Sequence, residues 1–532
     1  MKKNFKPLYL SLAFAFALAS CGTQKMVSTP IENIDNLPLK VTPLAEKDLQ
    51  RWSHLDLVKD TVPGMSVDKA YTELIKGKKG VKVIVGIVDS GVDVNHEDLK
   101  AVIWTNKKEI PGNGIDDDKN GYIDDVHGWN FLGESNNEQL EMTRIVKKGP
   151  GTPDYERAKE KLEEEVAGLQ GFKQQIDYVV AAEKAIAENL KTKNFTLEQV
   201  KAIVTEDAKL KQYRDLFVNQ ILAKQSKEAF DATLKSQVDY VYGQLNYNLN
   251  VEFAGRSIVG DNPDDINDTK YGNNNVIGPD PKEAKHGTHV AGIVAQIRGN
   301  GKGGDGVTNN AEIMAVRAVP NGDEYDKDIA LGIRYAVDNG AKVINGSFGK
   351  YFSQNKEWVI DAIKYAASKD VLIVIAAGND SQDLDVTNKY PNDTYDGSPE
   401  FANNMLMVGA LSPNYGTKMV AGFSNYGKNN VDIYAPGEKI YATTPLNTYE
   451  YLQGTSMASP NAAGVATLIR SYYPKLTAVQ VKQIIMESGT PLKNTVTVGE
   501  DKHKANFADV SKSGRIVNAY NALILAEIMS KK

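Results

Sequence analysis

The chain has 532 residues, with 62 Lys or Arg against 68 Asp or Glu and a formal net charge of −6. That balance leaves no basic field for nucleic acid, and the basic residues are scattered along the chain, so no nucleic-acid partner is expected. A single cysteine, Cys21, excludes an intrachain disulfide.

Lys2, Lys3 and Lys6 precede an apolar run over residues 8–18. A basic start followed by a short apolar core predicts a secretory signal over residues 1–20. The run is short for a membrane span, which leaves a short N-terminal anchor as the alternative. Leu18-Ala19-Ser20-Cys21 resembles the lipobox of bacterial lipoproteins. That resemblance implies cleavage before Cys21, lipid on its thiol and anchoring to a membrane outside the cytoplasm, in the outer membrane or at the cell surface. A stray cysteine in a signal segment is the plainer alternative. Residues 21–65 are polar, punctuated by proline and without periodicity, and are expected to form a tether.

Residues 66–151 open the folded part. The β-branched run 81–88 lies between turn residues and predicts a buried parallel strand. Asp89 follows it directly, before Ser90-Gly91. Parallel α/β sheets place functional groups at that end of a strand, although Asp-Ser-Gly also suits a simple turn. Further along, Asp116, Asp118, Asn120 and Asp124 match positions 1, 3, 5 and 9 of an EF-hand-like loop, with Gly121 at the turn. His127 stands where a full EF-hand has Glu. A shortened loop closed by Asp124 or Asp125, with Tyr122 also counted among the ligands, predicts a structural Ca2+ site. A solvated acidic turn is the alternative.

Residues 152–248 change character: Glu, Lys, Gln and Ala dominate, and Gly and Pro are scarce. Leu162, Val166, Leu169, Phe172, Ile176, Val179, Ile186 and Leu190 recur mostly three or four apart, which predicts an amphipathic helix. Thr196 with Gln199 predicts a capping box for a second helix. Further stripes over 210–221 and 230–245 complete a helical hairpin or small bundle, with internal packing as the main role of its apolar face.

Residues 249–532 resume the strand-and-helix rhythm. Apolar runs at 343–344, 371–375 and 405–408 predict strands, and 290–297, 328–337 and 358–367 predict helices. The expected fold is therefore a doubly wound, mainly parallel α/β sheet with an inserted all-α unit. His286 and His289 flank Gly287-Thr288 at a helix start. The Glu of His-Glu-x-x-His is missing, so a metal reading of this pair is set aside. Asn379 follows Ala376-Ala377-Gly378 just after a strand. Ser456 lies in Gly454-Thr455-Ser456-Met457-Ala458-Ser459-Pro460, among small residues at the start of a buried helix, where negative charge is favoured.

Asp89, His286, Asn379 and Ser456, each in its own setting and in that order, resemble the subtilases, the subtilisin-like serine peptidases. Asn95-His96-Glu97-Asp98-Leu99, Asn345-Gly346-Ser347-Phe348-Gly349, Phe423-Ser424-Asn425-Tyr426-Gly427 and Ala435-Pro436-Gly437 add to the resemblance. It implies a peptide-bond hydrolase in which Ser456 attacks, His286 carries the proton, Asp89 orients His286 and Asn379 holds an oxyanion. It further implies that Ser347, Phe348 and Gly349, with Ala377 and Gly378, line a cleft for extended polypeptides. Phe348 and the small residues suggest that this cleft tolerates apolar side chains. His96 and His289 match positions that are not catalytic, and Asp98 one that can contribute to a second calcium site.

The chain departs from the family in the 197 residues between Asp89 and His286 (286 − 89), most of them helical in pattern. The insert is expected beside the cleft, restricting access or binding a protein partner. The overall expectation is a lipid-anchored serine endopeptidase. The alternative is a catalytically idle, protease-like binding or assembly lipoprotein.

Overall fold

The computed structural model describes residues 43–395 and 397–532. The predicted signal segment, Cys21 and the predicted tether up to residue 42 lie outside the described residues. No helix among the described residues is long and apolar enough to cross a membrane.

Among the described residues thirteen strands follow in chain order. They are β1 Val83–Asp89, β2 Gly128–Asn130, β3 Ala311–Arg317, β4 Val343–Gly346, β5 Leu372–Ala376, β6 Met405–Leu411, β7 Ile433–Pro436, β8 Ile440–Thr444, β9 Thr448–Leu452, β10 Thr490–Pro491, β11 Thr495–Val498, β12 His503–Asn506 and β13 Arg515–Ile516. Nine form one sheet in the order β10-β13-β7-β6-β5-β4-β1-β3-β2. All its neighbours run parallel except β10 and β13. Its central strands are buried almost throughout, so continuous Val, Ile and Leu runs are what the position requires. The strand order reverses around β1, with β3 on one side and β4 to β7 on the other. Such a reversal opens a crevice at the carboxyl ends of the strands. The register levels those ends: Asp89 pairs with Arg317, Val88 with Gly346 and Gly346 with Ile375.

The helices Lys285–Ala295 and Thr455–Tyr472 pack on each other and on the sheet, and Asp326–Asp338 pairs with Lys356–Ser368. Lys285–Ala295 begins five residues before the predicted start at 290, which puts His286 and His289 in its first turns. β2, β3 and β7 to β13 have no counterpart in the predicted elements.

The helices over 155–248 are Tyr155–Leu190, Leu197–Lys201, Ala208–Leu216 continuing into a π-turn at Phe217–Ile221, and Lys227–Gly243 continuing into Gln244–Asn248. The Thr196–Gln199 box is formed in both directions, at 3.3 and 2.8 Å. These helices bury their own core, with Leu162, Ile176, Ile186, Phe195, Phe217 and Phe230. Met142, Ile145 and Phe352 join that core from outside the helices.

The predicted tether is corrected over residues 43–65. Trp52, Leu57, Val62 and Met65 are buried, and Trp52 Nε1 donates to the carbonyls of Glu438 and Lys439. Isolated apolar anchors on single helical turns and loops carry no period, so the sequence pattern does not reveal that they pack.

Candidate active site

Asp89 ends β1 and is 1% exposed. Its Oδ1 lies 2.6 Å from His286 Nδ1 and also accepts the Ser90 N–H at 2.7 Å. Gly287 makes this approach possible: a Cβ there would sit 2.2 Å from the Gly91 carbonyl oxygen and 3.1 Å from Asp89 Oδ1. Burial lowers the His286 pKa, but the Asp89 charge and hydrogen bond outweigh it, and the net shift is upward.

The sequence reading missed Arg317, the last residue of β3. It is 2% exposed and donates to the carbonyls of Ser90, Gly133 and Ser135 and to the side chains of Asn130 and Asn136. Burial pushes its guanidinium down to about 10. Arg317 thus ties the turn after Asp89 to the 130–136 loop. Its register with Asp89 is the signal that would have found it, once β3 is recognised.

Ser456 lies in the first turn of Thr455–Tyr472, after Gly454 at φ 148°. Pro460 has no N–H to give to the carbonyl four residues back. That carbonyl, of Ser456, accepts the Ser347 hydroxyl instead, at 2.7 Å. Ser347 is itself held by Asn345 Nδ2, and Asn345 Oδ1 accepts from Ser459. The Ser456 hydroxyl donates to the Ser347 carbonyl at 3.2 Å.

Asn379 follows β5. Its Oδ1 accepts from Thr455 N at 2.8 Å and from Thr455 Oγ1 at 3.0 Å, which fixes the amide orientation. A Cβ placed on Gly454 would lie 3.4 Å from Asn379 Nδ2 and 3.5 Å from Ser456 N. These two donors therefore converge on one small cradle. Asn425 braces the Asn379 loop, donating to the Ala377 carbonyl and accepting from Asp380 N and Gln382 N.

Two cavities meet at these residues. The larger, about 540 Å³, is bordered by His286, Arg317, Gly322, Ser347, Phe348 and Gly349. The smaller, about 250 Å³, reaches Phe348, Gly349, Gly378, Asn379 and Ser456. Four of the five predicted cleft residues border a cavity. Ala377 does not: it is fully buried, and Ala376 and Gly378 line the cavity in its place. Alternation along the end of β5 accounts for this correction.

His289 and His96, the two further histidines of the family-like motifs, are structural. His289 Nε2 meets the Ile440 and Glu450 carbonyls, and burial pushes its pKa down to about 3. His96 Nε2 meets the Thr448 carbonyl, so both pin the β8–β9 hairpin. Asp98 is buried, with one oxygen bonded to Ile297 N and the other without a partner.

In the acidic loop, carboxylate oxygens of Glu109, Asp116 and Asp118 lie within 4.8 Å of one another. Three crowded carboxylates fit a hard cation such as Ca2+. The predicted closure by Asp124 or Asp125 is corrected. Asp124 sits at φ 53° and its carboxylate accepts the N–H groups of Gly112, Asn113 and Gly114. Asp125 accepts from Asn106, Asn120 and Tyr335, and burial pushes it up to about 6. Tyr122 turns its ring into a cluster with Trp129 and Tyr335. Asn120 Oδ1 accepts the Tyr122 N–H next to the three carboxylates.

The Subtilase family model matches residues 80–508. The chain is 37% identical over 239 residues to the thermophilic serine proteinase of Bacillus sp. (strain AK1), covering 45% of this chain and 52% of that protein. It is 40% identical over 187 residues to thermitase of Thermoactinomyces vulgaris, covering 35% and 61%. It is 36% identical over 216 residues to subtilisin DY of Bacillus licheniformis, covering 40% and 74%. The chain thus spans about half the length of the first of these relatives. With its family match running from the strand that ends in Asp89 to beyond the helix that carries Ser456, the chain belongs to the subtilase family.

Proposed function

We propose that the chain is a serine endopeptidase that cleaves polypeptides through an acyl-enzyme. The carrying observation is the Asp89–His286 contact of 2.6 Å at the same sheet edge where Asn379 Nδ2 and Ser456 N converge. The Ser456 hydroxyl, now on the Ser347 carbonyl, must leave it and hydrogen-bond His286 Nε2 for the reaction to start. Ser456 Oγ then attacks the peptide carbonyl while His286 takes its proton. Asp89 keeps the imidazole in the tautomer that accepts at Nε2 and stabilises the imidazolium. The new oxyanion takes hydrogen bonds from Asn379 Nδ2 and Ser456 N. Collapse expels the amine with the proton from His286, and water repeats the sequence on the acyl-enzyme. A serine-directed fluorophosphonate should label the protein and fail to label Ser456→Ala. Absence of labelling in the parent chain would overturn this reading in favour of an idle scaffold.

The cation reading rests on Glu109, Asp116 and Asp118, with Asn120 beside them. Bound Ca2+ would neutralise their repulsion and stiffen the loop. Calcium should raise the Tm by several degrees over chelator, and Asp118→Ala should abolish that difference.

The basic start and apolar core before Cys21 support export and lipidation there, hence a membrane-anchored protein outside the cytoplasm. Labelling with a fatty-acid probe, lost in Cys21→Ser, is the test.

The helices over 152–248 we read as an insertion between catalytic parts 66–151 and 249–532 that controls access or binds a protein. Arg157 stacks 3.8 Å over the Phe352 ring and donates to the Tyr351 carbonyl, just beyond Gly349. Deleting 152–248 should alter cleavage of folded proteins far more than turnover of small peptides. Equal effects on both would reject gating.

A further inference from the structure

The smaller cavity beside Ser456 holds two charged side chains of opposite sign, Asp380 and Lys389. They are placed differently. Asp380 is exposed and accepts the Tyr351 hydroxyl. Lys389 is 2% exposed, and its Nζ donates to the Phe348 carbonyl at 3.2 Å. Among the described residues no carboxylate comes within the 4.0 Å of an ion pair with it. The Lys389 side chain also fills the space beside Gly349, where a Cβ would sit 2.2 Å from Nζ. The cavity's buried charge is therefore positive with no carboxylate in contact, the buried Glu324 and the exposed Asp380 acting on it only from beyond ion-pair distance.

An ammonium so placed has lost most of its water. Burial accordingly pushes the Lys389 pKa down to about 8. A carboxylate entering the cavity would return the lost solvation as a charge-assisted hydrogen bond. An apolar side chain would instead cover the cation and leave it unpaired, which costs free energy.

The substrate atom that reaches this cavity follows from the proposed chemistry, on which this inference rests. The scissile carbonyl sits at Ser456 with its oxygen toward Asn379. Both residues border the cavity, so the side chain of the residue that owns that carbonyl points into it. We propose that Lys389 makes this cavity a pocket for acidic side chains, so that the protein cleaves on the carbonyl side of glutamate and aspartate. That replaces the apolar tolerance expected from Phe348 and the small residues.

The test uses the full chain and four peptide anilides that differ only in the residue before the scissile bond: Glu, Gln, Leu or Lys. Glu should exceed Gln by about tenfold or more in kcat/KM, since the two differ in charge and little in shape. Lys389→Met should bring that ratio to about twofold or less and raise Leu, while Lys389→Arg should keep the preference for Glu. Should Lys389→Met fail to fold, Lys389→Gln gives the same readout and retains a donor for the Phe348 carbonyl. Glu no faster than Gln, Lys fastest of the four, or an undiminished preference without the ammonium would each overturn the proposal. Fluorophosphonate labelling separates the two levels. Labelling without a preference for Glu overturns this inference alone, whereas no labelling overturns the peptidase reading and this inference with it.

Discussion

Around the site, glycine, alanine and serine let backbones touch; in the helices over 155–248, long side chains pack inside and charges face solvent. Gly287 admits the His286 helix to Asp89, and Gly454 leaves room for two converging donors. A methyl group at either place would collide or fill the cradle. By contrast, a Cβ on Gly168 or Gly171 of the long helix would meet nothing within 4 Å. Several helical ion pairs, such as Lys184–Glu188 and Lys235–Asp239, are exposed on both sides. The pairs at the junction are not: Glu141, Arg144 and Lys350 are each at most 6% exposed. Substitutions should therefore act on chemistry at the sheet edge, on both stability and substrate binding at the junction, and barely at all on the helical surface.

The largest effect belongs to Asp89→Asn. The amide keeps the shape but donates to His286 Nδ1, which selects the wrong tautomer, so kcat should fall by about ten-thousandfold. The pH profile sharpens the point. His286 must be neutral to accept the serine proton, and Asp89 raises its pKa above the usual 6.5, so the acid limb of kcat/KM should lie above 6.5. In the variant, burial remains without the anion, and the limb should move downward. An unchanged limb would show that Asp89 does not set the charge on His286.

Next comes Lys350→Met, at the seam between the two regions. Lys350 Nζ meets Glu141 at 2.9 Å, the Glu324 carbonyl at 2.8 Å and Asp326 at 3.0 Å. Arg144 donates to the Asp323 and Glu324 carbonyls and to Glu141. Burial alone would raise the Glu141 carboxyl, but Arg144 and Lys350 hold it down to about 2. Removing Lys350 leaves buried carboxylates short of compensation, at a cost of about 3–5 kcal/mol in urea unfolding. Both walls of the larger cavity, at 322–324 and 347–349, hang on this network, so KM should rise more than kcat falls. A variant with unchanged KM and stability would mean that the helical region is only an appendage.

Asn379→Ala tests the sheet edge more narrowly. Loss of one preorganised donor should lower kcat by roughly a hundred- to a thousandfold, about 2.7–4 kcal/mol, the size measured for such a donor in a subtilisin. KM should barely move, because the bond strengthens as the oxyanion forms. A fall of less than about tenfold would remove Asn379 from the mechanism.

The two regions also differ in how much of each the chain reveals. β1, β4, β5 and β6 read directly as apolar runs because both faces of a parallel sheet are covered. β3 carries Glu312 and Arg317, and β2 has three residues, so neither stands out as a run. Asp89, His286, Asn379 and Ser456 are legible because each sits in a short, sterically forced motif. Their supports are not. The Ser347–Ser456 bond depends on the N–H that Pro460 lacks, and Glu109 lies seven residues before Asp116, outside the loop spacing. Lys389 joins the smaller cavity only through the approach of two loops. The helical period is readable from Leu162 to Leu190 within a helix of 36 residues, since it needs no partner from elsewhere in the chain.

The smallest effect is expected on the helix surface, and it matters because it isolates what the helical region contributes. Lys184 and Glu188 lie one turn apart at 4.0 Å, with side chains 76% and 68% exposed. Solvent and salt screen such a pair, and ordering two long side chains offsets much of the attraction. Lys184→Ala should therefore change stability by about 0.5 kcal/mol or less, in either direction, since Ala also favours the helix. Two residues on, Ile186 is fully buried in the helical core, and Ile186→Ala should cost about 2–5 kcal/mol for the same helix. If the helices serve only as a scaffold, the Ile186 variant should melt earlier while peptide turnover below its Tm stays unchanged. If they hold the cleft through the Lys350 network, KM for peptides should rise as that core loosens, and Lys184→Ala should leave KM where it was. The pair of variants thus separates a helical unit that merely stands beside the cleft from one that shapes it.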